Sequence, residues 1–202
     1  MNDTPQQTTP VELPTCRVER GHALWLFGPP AAGKTTVATA LKKTLEARGI
    51  PVVLFDGDIT REIVAHGLGR SIEERKLITY RYSALTSYLT ESKIIVILAA
   101  INHTNEQRAY ARKHHPPGKF GLVWVNTDID VCMARDPKGL YSRAKQSLAD
   151  GEAPEVVGLD IKFEEPLDSD VVVPTLEISP DAASEKILDY LIAVGSISVT
   201  ES

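Results

Sequence analysis

Gly28-Pro29-Pro30-Ala31-Ala32-Gly33-Lys34-Thr35-Thr36 sets two glycines, a lysine and two hydroxyls at the spacing G-x-x-x-x-G-K-[ST]. That spacing suits one kind of chemistry. Backbone N–H groups and a helix N-terminus converge on an anion, a lysine reaches the β- and γ-phosphates, and the Thr35 hydroxyl serves Mg²⁺. Two further groups could act on what is bound there. Asp56-Gly57-Asp58, followed by Ile59-Thr60-Arg61, offers two carboxylates two residues apart. On extended backbone they would point the same way, one toward a Mg²⁺ shell and one toward the proton of an attacking hydroxyl. Asp58 would equally serve as a cap for a following helix. Arg135-Asp136-Pro137-Lys138-Gly139-Leu140-Tyr141 brings cations that could close over a triphosphate and offset charge in the transition state. A solvated helix end carrying Arg and Lys reads just as well from composition.

Positioning these groups takes a framework, and the hydrophobic pattern supplies one. Apolar runs predict strands at His22–Phe27, Val52–Phe55, Lys93–Ala99, Phe120–Asn126 and Val171–Val173. Helical patterns fall between them at Lys34–Arg48, Ile59–His66, Ile72–Thr90, Asn105–Lys113, Ile129–Arg135 and Ala182–Val194. Continuous rather than alternating apolar strands imply a sheet covered on both faces. The alternation predicts an α/β, three-layer P-loop NTPase domain with a parallel sheet. Ala23–Phe27 precedes the glycine loop, and Val37, Leu41 and Leu45 follow it at a spacing of four. The order strand, loop, helix is what a triphosphate site requires. From about Asp136 to Pro166 periodicity fades among charges, Gly139, Gly151, Pro154 and Gly158, which predicts a mobile lid.

The 202 residues suit one kinase domain over about 21–195, with a flexible segment over 1–20 and a flexible tail over 196–202. A formal charge of −5 excludes binding of nucleic acid by bulk electrostatics. It also requires any phosphate-handling charge to be gathered in one cleft. No apolar run is long enough for a membrane span, and the Thr/Gln/Pro-rich start carries no signal sequence, so a reduced cytoplasm is expected. Cys16 and Cys132 make no disulfide framework or zinc pattern. His114-His115, beside Pro116-Pro117-Gly118, reads as a solvated loop rather than a ligand pair.

From Gly21 to Thr175 the chain resembles the adenylylsulfate (APS) kinases. The resemblance rests on the phosphate loop, Asp56-Gly57-Asp58 with Arg61, and Leu68-Gly69 with Ser71 and Arg75. It continues through Ile101 and Arg108, Cys132, Arg135 to Tyr141, and Gly158-Leu159-Asp160 ahead of Glu164 and Pro166. It implies transfer of the ATP γ-phosphoryl group to a sugar hydroxyl of a nucleotide-like acceptor, with Mg²⁺, by a homodimer. Carried over by position, Gly28 to Thr36 bind ATP, Thr35 and Asp58 take the metal, and Arg135 joins the ATP site. Lys34, Asp56, Asp58 and Lys138 carry the chemistry. Arg61, Arg70, Arg75, Ile101, Asn102, Lys138, Leu140 and Val156 face the acceptor.

Some positions depart from the family pattern. Arg70 and Val156 stand where APS kinases carry two phenylalanines that sandwich the acceptor's adenine, Ile78 replaces an Asn, and Asn102-His103-Thr104 replaces Ser-Pro-Tyr. The lid is also longer between Lys145 and Val156. Base–aromatic stacking is worth roughly 1–3 kcal/mol per contact, so losing both rings weakens an adenine-bearing acceptor by roughly ten- to several-thousand-fold. An intact donor apparatus with an altered acceptor wall predicts a changed acceptor. The run Val156 to Ile161 resembles paralogues of capsule biosynthesis, one of which phosphorylates cytidine diphosphoramidate. The alternative is an APS kinase of sulfate assimilation. A nucleotide-binding module without catalysis is the competing class, and retention of Lys34, Asp56, Asp58 and Lys138 speaks against it. A kinase of a simple sugar is a third reading, opposed by the Arg135–Tyr141 run.

Overall fold

A computed structural model describes residues 14–200, and the first 13 residues and the last two lie outside it. Five parallel strands form the central sheet: β2 (His22–Phe27), β3 (Val52–Asp56), β4 (Ile95–Ala99), β5 (Phe120–Asn126) and β6 (Val171–Pro174), in the order β3-β4-β2-β5-β6. The phosphate-loop strand is therefore central. β6 is an edge strand, where its closing Pro174 leaves no donor missing from a neighbour.

Strand alternation divides the core into two. Leu24, Leu26, Ile95, Ile97, Val123 and Val125 face α1 (Lys34–Glu46) and α7 (Pro180–Ala193), which contribute Val37, Leu41, Leu45, Ile187 and Leu191. Trp25, Phe27, Val96, Leu98 and Leu122 face α3 (Ile72–Thr90) and α4 (Asn105–His114) through Tyr82 and Ala111. Each fully buried aliphatic side chain of this kind is worth about 1.5–3 kcal/mol, so this three-layer burial fixes the sheet. The predicted α/β three-layer fold is the one observed.

Several boundaries differ for identifiable reasons. Lys93 adopts a left-handed φ of 52°, so β4 begins at Ile95 rather than Lys93. Helix α2 shrinks to Arg61–Val64, because residues 57–60 turn. Within the expected lid, α5 (Ile129–Arg135) is followed by a further helix, α6 (Leu140–Ala149), that sequence reasoning missed. The glycines taken as loop signals bracket it. Gly139 is its left-handed N-cap, Gly151 turns the chain just past its end, and Tyr141 and Ala144 supply the buried face.

The ends need correction as well. The flexible segment expected over 1–20 and the flexible tail over 196–202 include β1 (Cys16–Val18) and β7 (Ile197–Val199), which pair antiparallel. Residues 1–13 and 201–202, the outer parts of both expectations, lie outside the described residues. His115 is not in a solvated loop: it is 5% exposed, bonds Thr86 through Nε2 at 2.9 Å, and burial lowers its pKa to about 4.

Candidate active site

All the elements that carry chemistry open onto one cavity of about 880 Å³ at the carboxyl ends of the strands. Crevices of that kind are where open α/β sheets bind ligands.

The donor end is built from backbone. Gly33 caps α1 in a left-handed conformation (φ 98°), and no side chain takes the helix's first N–H groups. They stay available to an anion. By contrast, α3, α4, α5 and α7 each have a side-chain cap, from Ser71, Thr104, Asp128 and Ser179. Gly28 admits no side chain, since a Cβ there would lie 2.7 Å from the Val125 carbonyl oxygen. The Thr127 hydroxyl holds the loop from below by donating to Ala32 O at 2.8 Å. Lys34 Nζ donates to Gly28 O (3.0 Å) and Pro29 O (2.7 Å), and desolvation lowers its pKa to about 8. Pro30, Ala31, Thr36 and Arg135 also line the cavity. So do Thr175, Ile178, Pro180 and Ala183, an apolar end beyond α1 that sequence reasoning missed. No motif marks it. It forms only where the turn after β6 meets the start of α7.

The two carboxylates do not share one direction. Extended backbone stops at Asp56, which is buried and accepts from the Thr35 hydroxyl at 2.6 Å and from its own chain at Asp58 N at 2.9 Å. The expected Thr35–Asp58 pair is thus a Thr35–Asp56 pair. Asp58 turns outward and accepts from Lys138 Nζ, which reaches across from the segment ahead of α6. That hydrogen bond, more than any other cause, lowers the Asp58 pKa and keeps the carboxylate ionised. Both partners are about 70% exposed, so the pair carries little stability and is free to exchange partners.

At the acceptor end three arginines converge. Arg61 Nη2 donates to Leu68 O and Gly69 O. Arg75 is tied at Nε to Arg70 O (2.6 Å) and at Nη2 to Glu155 O of the lid (2.7 Å). Burial and the neighbouring guanidinium groups of Arg70 and Arg61 lower the Arg75 pKa. Ile101, Asn102, Leu140 and Val156 line the same end. Ile101 O accepts from Gly28 N at 3.4 Å, which joins the acceptor wall to the phosphate loop. His103 and Gln107, not singled out from sequence, stand in this wall. The cue was present, in the departure of Asn102-His103-Thr104 from the family pattern.

A parallel sheet, a glycine loop opening α1 beneath a lysine, and opposed carboxylate and arginine groups in one cleft define a P-loop kinase, an ATP-dependent phosphotransferase. The family model for adenylylsulphate kinase matches residues 20–174, and the chain belongs to that family. It is 37% identical over 179 residues to the adenylyl-sulfate kinase of Vibrio cholerae, covering 89% of this chain and 78% of that one. It is 37% identical to the adenylyl-sulfate kinase of Burkholderia ambifaria, covering 83% of this chain and 91% of that one. Among solved structures, the APS kinase CysC of Mycobacterium tuberculosis, in complex with AMPPNP and APS, matches with a TM-score of 0.78 at 30% identity. That match covers 86% of this chain and 98% of that one. No helix among the described residues is long and apolar enough to cross a membrane.

Proposed function

We propose that this protein is an adenylylsulfate kinase, transferring the γ-phosphoryl group of ATP to a ribose hydroxyl of adenylylsulfate. The observation that carries the reading is one cavity in which Lys34 and the uncapped start of α1 lie at one end and Arg61 and Arg75 at the other. The Asp58–Lys138 pair belongs to the same cavity. The activity shared by its relatives favours adenylylsulfate over the changed acceptor that Arg70 and Val156 led us to expect. Nothing among them favours a role in capsule biosynthesis.

In the proposed reaction the α1 amides and Lys34 gather the triphosphate, and Arg61 and Arg75 hold the acceptor's anionic group. The acceptor oxygen bonds to the γ-phosphorus, the bond from that phosphorus to the β,γ-bridging oxygen breaks, and ADP leaves. Asp58 takes the hydroxyl proton. It is a weak base while Lys138 donates to it, and it strengthens as Lys138 turns toward the phosphates. Thr35 and Asp56 fit Mg²⁺, because a hydroxyl and a carboxylate in contact are the hard oxygen donors that ion prefers. When bound, it would neutralise charge on the β- and γ-phosphates. Two free cysteines, Cys16 and Cys132, suit a reducing cytoplasm. The expected homodimer is open to a direct reading by light scattering.

Turnover with ATP and adenylylsulfate, set against ATP and cytidine diphosphoramidate, tests the proposal. Efficient phosphorylation of adenylylsulfate alone is the expected result. Turnover of cytidine diphosphoramidate alone would restore the altered-acceptor reading.

A further inference from the structure

One buried hydroxyl lining the cavity has no part in the reaction just described. Tyr141 is 1% exposed, and its Oη lies 3.2 Å from Pro30 O of the phosphate loop and 3.3 Å from Val157 O of the lid. Both neighbours are carbonyls, so both call on the same proton. A phenol has one to give, and ordinary O–H···O bonds measure about 2.7–2.8 Å. The proton is therefore divided between two long bonds, and a small shift of either carbonyl decides where it goes. Burial raises the Tyr141 pKa, which keeps the hydroxyl a donor.

The pieces it joins are each held firmly. Asp136 accepts from Tyr141 N at 3.0 Å and from Ser142 N at 2.8 Å, which fixes the ring at the start of α6. In the lid, Asp160 accepts from Glu155 N and Val156 N, and Val156 O accepts from Leu159 N and Ile161 N, so residues 155–161 form one tied turn. That turn requires Gly158. At its left-handed φ of 93°, a Cβ would stand 3.2 Å from Tyr141 Oη and overlap the Ile129 side chain. The near end of the turn is Glu155 O, which accepts from Arg75 Nη2 at 2.7 Å. On the donor side, the peptide that presents Pro30 O carries the Ala31 N–H on its opposite edge. A phosphate drawn to that N–H settles where Pro30 O stands. An unbroken line of contacts thus joins the two ends of the cavity, from Pro30 through Tyr141 and the lid turn to Arg75.

We propose that the Tyr141 hydroxyl is a positioning group that couples the two substrates. Triphosphate in the loop, by fixing Pro30 O, sets the lid turn through Val157 and brings Glu155 and Arg75 into register for the acceptor. The inference rests on the adenylylsulfate reading and adds to it how filling one end of the cavity prepares the other.

The test is calorimetric binding of adenylylsulfate to the full chain, with and without saturating Mg²⁺ and the non-reacting ATP analogue AMPPNP, alongside melting temperatures. In the wild type, AMPPNP is expected to tighten adenylylsulfate binding by about fivefold or more, and adenylylsulfate to tighten AMPPNP by the same factor. Tyr141→Phe removes the proton donor and keeps the ring. It is expected to cut that factor by about two- to tenfold, the worth of one hydrogen bond. Gly158→Ala drives the lid turn off the hydroxyl and is expected to cut the factor as well. A wild-type factor near one overturns the inference. So does a wild-type factor kept in either folded variant, including the case where both affinities and the melting temperature fall together. A wild type that binds AMPPNP but no adenylylsulfate removes the adenylylsulfate reading and this inference with it, whereas one that binds both, with variants indifferent, removes this inference alone.

Discussion

The two ends of the cavity are built in opposite ways. At the donor end, recognition comes from backbone: a glycine loop, an uncapped helix start and one lysine bound to its own loop carbonyls. At the acceptor end it comes from side chains, Arg61, Arg70 and Arg75 with the residues that follow β4, beside helices α3 and α4 whose starts are closed by capping boxes. Backbone groups bind any triphosphate alike and cannot be altered singly. Side chains can be exchanged one at a time. The departures at Arg70, Ile78, Asn102, His103 and Val156 all fall at the acceptor end, while the donor loop keeps its full pattern.

The largest expected effect lies where the ends meet. Asp58→Asn lowers kcat by about 10²–10⁴-fold with ATP affinity retained, as stopped-time turnover and calorimetry would read. An equal loss of ATP affinity would put Asp58 on the donor side instead. Arg75→Ala raises the acceptor KM by roughly ten- to a hundredfold and leaves the ATP KM in place, since a hydrogen bond to a charged group is worth about 1.5–3 kcal/mol.

A pH titration separates the ends without mutation. The Lys34 pKa is depressed from its ordinary value of 10.5 to about 8, so the ammonium is lost above that pH in the free protein. Phosphates bind the ammonium form. ATP affinity therefore falls as pH rises through 8, by up to about tenfold per unit, while acceptor affinity stays nearly flat. Lys34→Arg, always charged, should flatten the ATP curve in calorimetry. Arg70→Phe restores a stacking surface and is expected to lower the KM of an adenine-bearing acceptor by about five- to tenfold, with no change for ATP. The smallest effect is structural. Ser71→Ala opens the capping box of α3 and costs about 1 kcal/mol, or roughly 2–4 °C in melting temperature.

Much of this was legible in the chain itself. The central strands declare themselves because both faces are buried and their apolar runs are unbroken, and the donor loop because its chemistry dictates its spacing. The acceptor wall was legible only through departures from a family pattern. Those named Asn102 but did not show that its backbone carbonyl is held by Arg108, which is itself tied to Glu164 from a distant segment. The partners of the two aspartates were hidden for a simpler reason. A turn over four residues sends Asp58 to Lys138 and leaves Asp56 with Thr35. Helix α6 was obscured by its own glycine caps, and β1 and β7 by their shortness: three residues each, recognisable only once paired.

That last pairing has a consequence for how the chain is strung. Thr15 and Thr200 bond to one another through backbone and hydroxyls, and Ser196, just ahead of β7, anchors to His22 at the base of the central strand. The nucleotide crevice opens at the opposite rim of the sheet. Residues 15 and 200 could therefore be spliced by a short tether and the polypeptide cut afresh at the exposed Pro117-Gly118 bend, giving a circular permutant with its catalytic geometry undisturbed.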